Sequence, residues 1–300
     1  MEDGEKQESN DLTDIEKIHN SLENNEITKI VELICERTNS QRQNIKENYY
    51  SSYGIEILKE FESKLSGNVK DLILGLMMTS EDFDANQIYN SIKGFGTDEA
   101  TLSEIIATRP SRHLLQVKER YPILFEKTLD SDITGDTSKC YQKILIAIIQ
   151  GKRSDNPYPN SQKMKEIVEK LSKDGKIQED NIVKLFSSCS YGEICTICRL
   201  YEKIYNESIL DDIKKTVDGD AYEFFETLLQ YISDAGRYFA EKLHNFKEKD
   251  FTRILISRSE VNMDEIRDSY KELYFTDLVD DIKNNFNGDY QLGLTILAKK

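Results

Sequence analysis

The sequence repeats itself four times, and this internal repeat constrains the fold more than any other feature. Residues of matching character recur at successive offsets of 72, 80 and 69 residues along the chain. Four independent columns obey these offsets: Tyr49, Tyr121, Tyr201 and Tyr270; Ile45, Val117, Ile197 and Ile266; Leu33, Ile105, Leu185 and Ile254; Leu76, Ile148, Leu228 and Leu297. One set of offsets that aligns four columns indicates four copies of a unit of roughly 70 residues.

Each copy has the apolar spacing of helices. In the second copy Leu102, Ile105 and Ile106 recur at helical spacing, and Ile144 and Ile148 belong to another such stripe. The chain has only 4 prolines and 14 glycines in 300 residues, which are few for the frequent turns of a sheet-rich protein. The sequence therefore predicts an all-α protein.

The helical stripes also predict where the copies begin and end. We expect repeats at residues 13–80, 84–152, 163–233 and 236–299. The longest break, 151–162, contains Pro157 and Pro159 and predicts a linker at 153–162. We expect this linker to separate copies one and two from copies three and four. Residues 1–12 are polar and acidic, which is typical of a flexible tail.

Charge limits the partners of this chain. It has 40 Lys and Arg against 55 Asp and Glu, for a formal net charge of −15. Such a surface repels nucleic acid and bare anionic membrane, so contact with a negative lipid surface needs a positive bridge. The first residues lack the basic start and apolar centre of a signal peptide, and no run approaches the roughly 18 apolar residues of a membrane span. The five cysteines follow no secreted-domain spacing, so we expect a cytoplasmic protein.

The clearest local signal is the segment Lys-Gly-Phe-Gly-Thr-Asp-Glu at 93–99, directly before a predicted helix. Its glycines permit positive φ angles, so the carbonyls of Ile92, Gly94 and Gly96 could converge on a hard cation. Asp136 follows 40 residues after Gly96 and could complete an oxygen-only calcium shell. The same residues also fit an ordinary glycine turn that leads into a helix, and the spacing alone leaves both interpretations open.

Longer motifs connect the sequence to a known family. Residues 92–99, the Ile-Ile-Ala-Thr-Arg of 105–109 and the Gly-Asp-Thr-Ser of 135–138 resemble a complete annexin repeat. In copy four, the segments 238–241 and 256–263 are similarly annexin-like. The resemblance covers about residues 13–299 and runs through all four copies.

The resemblance implies an all-helical fold in which each repeat has five helices and the four repeats form a slightly curved disc. It also implies that calcium on the convex face bridges the protein to acidic phospholipids. The implied ligands, carried over by position, are the carbonyls of Ile92, Gly94 and Gly96 and the carboxylate of Asp136. A minor neighbouring site would use Thr97 and Glu99, and Phe95, between the glycines, would contact the membrane.

The other three copies depart from this pattern. Their equivalents of the copy-two carboxylate are Lys64, Thr216 and Asn285. In copy one the offset of 72 places Leu22 and Asn24 at the loop glycines, and in copy four the loop is about six residues short against the family. We therefore expect three of the four sites to be inactive, although the sequence leaves open unusual sites elsewhere in these copies.

Further polar residues match positions that line the centre of the annexin disc. These residues are Asp84, Glu104, Arg109 and Arg258. Because buried charges must be paired, we expect an ion-pair network that holds the two halves together. A conduction pathway is the alternative interpretation.

The functional hypothesis is calcium-dependent peripheral binding to acidic phospholipid, chiefly through copy two, at the inner face of cellular membranes. The alternative is a cytoskeletal or protein-binding scaffold with weak membrane activity, which the loss of three sites favours. A third option, a redox enzyme, rests only on the Cys195-x-x-Cys198 pair, which we expect to be buried thiols. The sequence has no nucleophile–base pair or phosphate loop, so we expect neither an enzyme nor a nucleic-acid-binding protein.

Overall fold

The structure is a computed structural model of the chain. It describes residues 2–94, 96–154, 156, 158–173 and 176–300, with side chains throughout except at 2–12 and 172–173.

The described residues form twenty helices, five in each repeat. Repeat 1 contains α1 (Glu2–Glu23), α2 (Ile27–Glu36), α3 (Asn39–Tyr53), α4 (Ile57–Lys64) and α5 (Gly67–Leu76). Repeat 2 contains α6 (Ser80–Ile92), α7 (Glu99–Thr108), α8 (Ser111–Phe125), α9 (Leu129–Asp136) and α10 (Lys139–Ile149). Repeat 3 contains α11 (Ser161–Leu171), α12 (Glu179–Ser188), α13 (Tyr191–Tyr205), α14 (Ile209–Lys214) and α15 (Gly219–Ser233). Repeat 4 contains α16 (Ala235–Leu243), α17 (Glu248–Arg258), α18 (Met263–Tyr274), α19 (Leu278–Asn285) and α20 (Gly288–Leu297).

The prediction of an all-α fold with five helices per repeat is confirmed. The described strands are two residues long, β1 (Ser172–Lys173) and β2 (Lys176–Ile177), and they pair antiparallel with Ser172 opposite Ile177. Helix α1 begins inside the segment predicted to be a flexible tail, and the flexibility of 1–12 stays a prediction. No described helix is long and apolar enough to cross a membrane.

The four tyrosines of the predicted column are fully buried, and each forms a hydrogen bond through its hydroxyl. In every repeat the hydroxyl donates to a carboxylate eleven residues later, on the fourth helix. The pairs are Tyr49–Glu60, Tyr121–Asp132, Tyr201–Asp212 and Tyr270–Asp281. These bonds satisfy the buried hydroxyls and fasten the third helix of each repeat to the fourth.

Two positions in every repeat adopt a left-handed backbone. The residue after the third helix has φ of 67° at Gly54, 57° at Glu126, 56° at Asn206 and 57° at Phe275. The first residue of the fifth helix has φ of 55° at Gly67, 53° at Lys139, 54° at Gly219 and 60° at Gly288. The fourfold repeat therefore includes the backbone conformation. Both positions are left-handed even where the residue is not glycine.

The chain forms two compact units, Met1–Phe83 with Ala235–Lys300, and Asp84–Asp234. The first unit contains repeats 1 and 4, and the second contains repeats 2 and 3. The expectation that copies one and two separate from copies three and four is therefore wrong. Proximity in sequence does not decide the pairing, because each helix packs where its apolar face finds a complementary one.

In the first unit α2 packs on α20, and α5 packs on α17. A Cβ at Gly293 would lie 2.6 Å from Leu72 Cδ2 and 3.2 Å from Val31 Cγ1, so glycine allows this close approach. The Glu260 carboxylate accepts a hydrogen bond from the backbone N–H of Asn39 at 3.0 Å and forms a salt bridge with Arg42 at 3.0 Å. These contacts join repeat 1 to repeat 4.

In the second unit α7 packs on α15, and α10 packs on α12. The Tyr191 hydroxyl donates to the Ala107 carbonyl at 2.8 Å, which ties repeat 3 to repeat 2. This unit contains the candidate calcium loop.

Candidate functional site

The candidate loop, residues 93–98, connects α6 to α7. Gly94 has φ of 124° and Gly96 has φ of 93°, angles that residues with a Cβ rarely adopt. The Asp98 amide donates to the Ser91 carbonyl at 2.7 Å and closes the base of the loop. The Asp98 side chain accepts from the Thr101 amide at 3.0 Å and caps α7. The double glycine therefore lies on an exposed loop with a fixed base.

Phe95 lies outside the described residues, so its predicted membrane contact stays a prediction.

The predicted carboxylate ligand lies close to this loop. Asp136 is the exposed last residue of α9, and its carbonyl accepts from the Thr97 hydroxyl at 3.4 Å. Within the described part of the chain, no donor bonds to the Asp136 carboxylate. The fold thus joins two loops 39 residues apart and leaves the acid available to a cation.

The Asp136 loop is braced by its neighbours. Gln142 donates from Nε2 to the carbonyls of Thr134 at 2.9 Å and Thr137 at 2.7 Å. Repeat 4 contains the same brace, because Gln291 Nε2 donates to two carbonyls of its own loop at 2.8 and 2.9 Å. These hydrogen bonds tie the loop to the first turn of the fifth helix in both repeats.

Among the described residues, no group of three or more His, Cys, Asp or Glu side chains could hold a metal ion. A metal in repeat 2 would therefore rely on carbonyl oxygens and one carboxylate, a donor set that suits Ca²⁺. Glu99 begins α7 and is half-buried, as is Thr97. Neither the main ligand set nor the minor site at these two residues is tested by the geometry, and both stay predictions.

Helix ends confirm the alignment of the carboxylate position. Lys64 ends α4 and Asn285 ends α19, as Asp136 ends α9. Thr216 lies two residues beyond α14, and its hydroxyl donates to the Ile177 carbonyl at 2.9 Å. In repeat 3 this hydrogen bond connects the same two loops that the Thr97–Asp136 contact connects in repeat 2.

In repeat 1 the loop between the first two helices is shorter than a uniform offset of 72 assumes. The Glu26 amide donates to the Ser21 carbonyl at 2.8 Å, as Asp98 donates to Ser91 in repeat 2. These partners are five residues apart in repeat 1 and seven apart in repeat 2, so the loop is two residues shorter. Placing Leu22 at a loop glycine was therefore wrong, because Leu22 is buried within α1.

In repeat 4 the loop is shorter still. The His244 ring stacks on Tyr274 at 3.6 Å, as the Tyr89 ring stacks on Phe125 at 4.0 Å in repeat 2. The residue before α17 is the third after His244, whereas the residue before α7 is the ninth after Tyr89. The predicted shortening by six residues agrees with this geometry.

Comparison with known proteins identifies the family. The family model described as Annexin matches residues 17–76, 83–148 and 238–297, well over half of the chain. The chain belongs to the annexin family. Repeat 3 lies outside the three matched stretches.

Annexin relatives align along most of this chain. It is 30% identical to annexin A6 of Gallus gallus over 90% of this chain and 42% of that protein. It is 32% identical to annexin A11 of Oryctolagus cuniculus over 87% of this chain and 54% of that protein. It is 29% identical to annexin A13 of Homo sapiens over 89% of this chain and 88% of that protein. The chain thus spans about half of the first two relatives and most of the third.

Solved annexin structures share the fold. Annexin III superposes with a TM-score of 0.92 at 27% identity, over 96% of this chain and 93% of that one. Calcium-bound annexin (Sm)1 superposes with a TM-score of 0.86 at 24% identity, over 96% of this chain and 90% of that one.

Repeat 2 of this annexin contains a buried ion pair. Arg109 donates to Asp84 through Nε at 2.7 Å and Nη2 at 2.9 Å, and His113 Nε2 lies 2.8 Å from the same carboxylate. Burial alone would raise the pKa of Asp84, but the Arg109 charge and the hydrogen bonds hold that pKa well below its usual range. The predicted pairing of these two residues is present.

The other two predicted members of the network differ in location. Glu104 is fully buried in α7. Arg258 belongs to the other unit, where its guanidinium lies 4.7 Å from the centroid of the Phe239 ring. A four-residue network that includes Arg258 stays a prediction. The sequence did not identify His113, which lies in the first turn of α8, four residues after Arg109.

The cysteines agree only in part with the prediction of buried thiols, because Cys195 and Cys198 are half-buried. All five are free, and three are buried. Burial raises the pKa of the Cys198 thiol to about 12, and it also raises the pKa of Cys195. A reactive dithiol needs the opposite shift.

Proposed function

We propose that this annexin binds acidic phospholipid membranes in a calcium-dependent way, chiefly through repeat 2. The supporting observation is the Thr97–Asp136 contact, which joins the double-glycine loop to an exposed carboxylate without a partner among the described residues. Calcium is bound in the solved structures of annexin (Sm)1 and alpha-14 giardin, which have this fold. Calcium also supplies the positive bridge that a chain of net charge −15 needs at an anionic surface.

In this proposal the carbonyls of Ile92, Gly94 and Gly96 and both oxygens of Asp136 coordinate calcium. Lipid phosphate and water supply the remaining oxygens of a shell of six to eight. A second, minor ion would use Thr97 and Glu99.

A single site per chain makes the membrane affinity modest. Repeats 1, 3 and 4 have Lys64, Thr216 and Asn285 at the carboxylate position. Several sites that engage one surface multiply their affinities, and this chain would lose most of that gain. The loss of the carboxylate in three repeats also favours the second candidate function, a scaffold that binds cytoskeletal or other proteins.

We further propose that Phe95 inserts at headgroup level, because burial of a Phe side chain contributes roughly 1.5–3 kcal/mol. Phe95→Ala should weaken vesicle binding and leave the calcium-free melting temperature unchanged. If Phe95 were a core residue, the same change would lower unfolding free energy by about 3–5 kcal/mol. In a cell the protein would act without catalysis, in the cytoplasm and at the inner face of membranes.

Asp136→Asn tests the proposal, because it keeps the side-chain shape and removes the charge that calcium requires. Co-sedimentation with phosphatidylserine-containing vesicles should fall sharply for this variant across a calcium titration, with unchanged helical circular dichroism. Asp130→Asn is the matched control. It makes the same change on the same helix, where Asp130 pairs with Lys118 at 2.9 Å, and it should bind like wild type. Equal sedimentation of Asp136→Asn and wild type would refute the repeat 2 site.

A further inference from the structure

Lys139 breaks the pattern of the fifth helices. The first residue of this helix is left-handed in all four repeats, and in the other three it is Gly67, Gly219 or Gly288. Repeat 2 alone places a side chain there, at φ of 53°. The exception lies in the repeat that contains the candidate calcium loop.

Two physical effects oppose a lysine at this position. A residue with a Cβ is strained in the left-handed region, where glycine is not. A cation at the first position of a helix also meets the positive end of the helix dipole. A glycine at 139 would relieve both effects.

Lys139 has no pairing partner within the described chain. Lys139 is exposed and forms no ion pair with any described residue. One turn later, Lys143 does pair, with Glu179 at 2.6 Å. The ammonium group of Lys139 is therefore available to a ligand from outside the chain.

The position of Lys139 indicates the chemistry of that ligand. It follows Asp136 by three residues, so their Cα atoms are at most about 11 Å apart. Residues 134–136 and 138 of this braced loop are exposed. A phosphate oxygen on calcium at Asp136 would bring its own negative charge within reach of the lysine side chain, which carries three donors.

We propose that Lys139 binds the phosphate of the acidic lipid that calcium holds at Asp136, so that one headgroup contacts a metal ion and an ammonium group together. This inference rests on the proposed function. A basic residue near an anionic membrane surface contributes about a fivefold gain in affinity.

The test uses Lys139→Gly, which moves two measurements in opposite directions. Its calcium-free melting temperature should rise by about 2 °C because the strain is removed. Its affinity for phosphatidylserine-containing vesicles at saturating calcium should fall about fivefold, and the difference from wild type should shrink at 0.5 M salt. A purely structural lysine would give the first change without the second.

Two controls isolate the charge. Lys139→Arg keeps the cation and the backbone strain and should retain wild-type binding. Glu126→Gly relieves a left-handed residue at φ of 57° at the end of α8, so it should raise the melting temperature without weakening vesicle binding. Wild-type vesicle affinity for Lys139→Gly overturns the inference. Absence of binding by wild type itself would instead refute the proposed function.

A calorimetric titration with water-soluble glycerophosphoserine in calcium separates a lipid surface from a free phosphate. A difference between wild type and Lys139→Gly on vesicles supports the lipid assignment. A difference confined to the soluble phosphate overturns it.

Discussion

Replacing Asp84 with Asn should destabilise the second unit more than the same change at the corresponding pair of repeat 1. In both repeats an aspartate of the first helix binds the arginine that follows the second helix. Asp84 binds Arg109 at 2.7 and 2.9 Å, and Asp14 binds Arg37 at 2.5 and 2.9 Å. The two aspartate side chains are equally buried, at 3% exposed. The arginine side chains differ, with Arg109 4% exposed and Arg37 25% exposed.

This difference in exposure determines how much unfolding free energy each substitution costs. Removal of the Asp84 charge takes the bidentate carboxylate away from the buried Arg109 guanidinium, and breaking a buried ion pair in this way costs about 3–5 kcal/mol of unfolding free energy. At about 2–4 °C per kcal/mol, the melting temperature should fall by about 6–20 °C. After Asp14→Asn, water can solvate the partly exposed Arg37, so we expect a loss of only about 1–2 kcal/mol.

Urea denaturation followed by circular dichroism measures both variants in calcium-free buffer. Asp84→Leu combined with Arg109→Met removes both charges and should recover most of the stability that Asp84→Asn loses, because neither charge of the broken pair remains. Equal losses for Asp84→Asn and Asp14→Asn would refute the argument from arginine burial, as would a loss below about 1 kcal/mol for Asp84→Asn.

Two further outcomes are expected. Phe275→Gly should stabilise the protein by about 1 kcal/mol in thermal melts, because Phe275 is left-handed at φ of 57° and its 91% exposed ring gives up little packing; an unchanged melting temperature would contradict this. The pKa of Asp84 is lowered in the folded state, so its contribution is complete above its unfolded pKa of about 3.9 and is lost as the pH falls further. Stability measured from pH 5.5 to pH 3 should therefore decline less steeply for Asp84→Asn than for wild type.

Periodicity predicted the helices well, because the apolar columns are the buried faces themselves. Tyr121 and Ile148 were expected in the core, and both are fully buried. The Tyr121 partner, Asp132, was not predicted, because an acid eleven residues away has no signature in a single copy. It becomes visible only when the four copies are compared at their fourth helices.

The site was predictable where loop length was preserved and not where it changed. The offsets correctly align three residues that each end the fourth helix of their own repeat: Asp136, Lys64 and Asn285. A fixed offset fails across the first loop, because a deletion shifts every residue before it, and Leu22 was misplaced for this reason. The pairing of repeats 1 and 4 was also missed, since side-chain complementarity at Gly293 is a property of three dimensions.

The two units also have a consequence for the order in which the chain folds during synthesis. The second unit is an insertion within the first, which is interrupted at Phe83 and resumes at Ala235. A ribosome adding about 5–20 residues per second needs roughly 8–30 s for the inserted segment. During that interval α2 and α5 have been synthesised, but their partners α20 and α17 have not. The inserted unit can therefore fold first. Until repeat 4 is synthesised, the apolar faces of repeat 1 stay uncovered and accessible to chaperones.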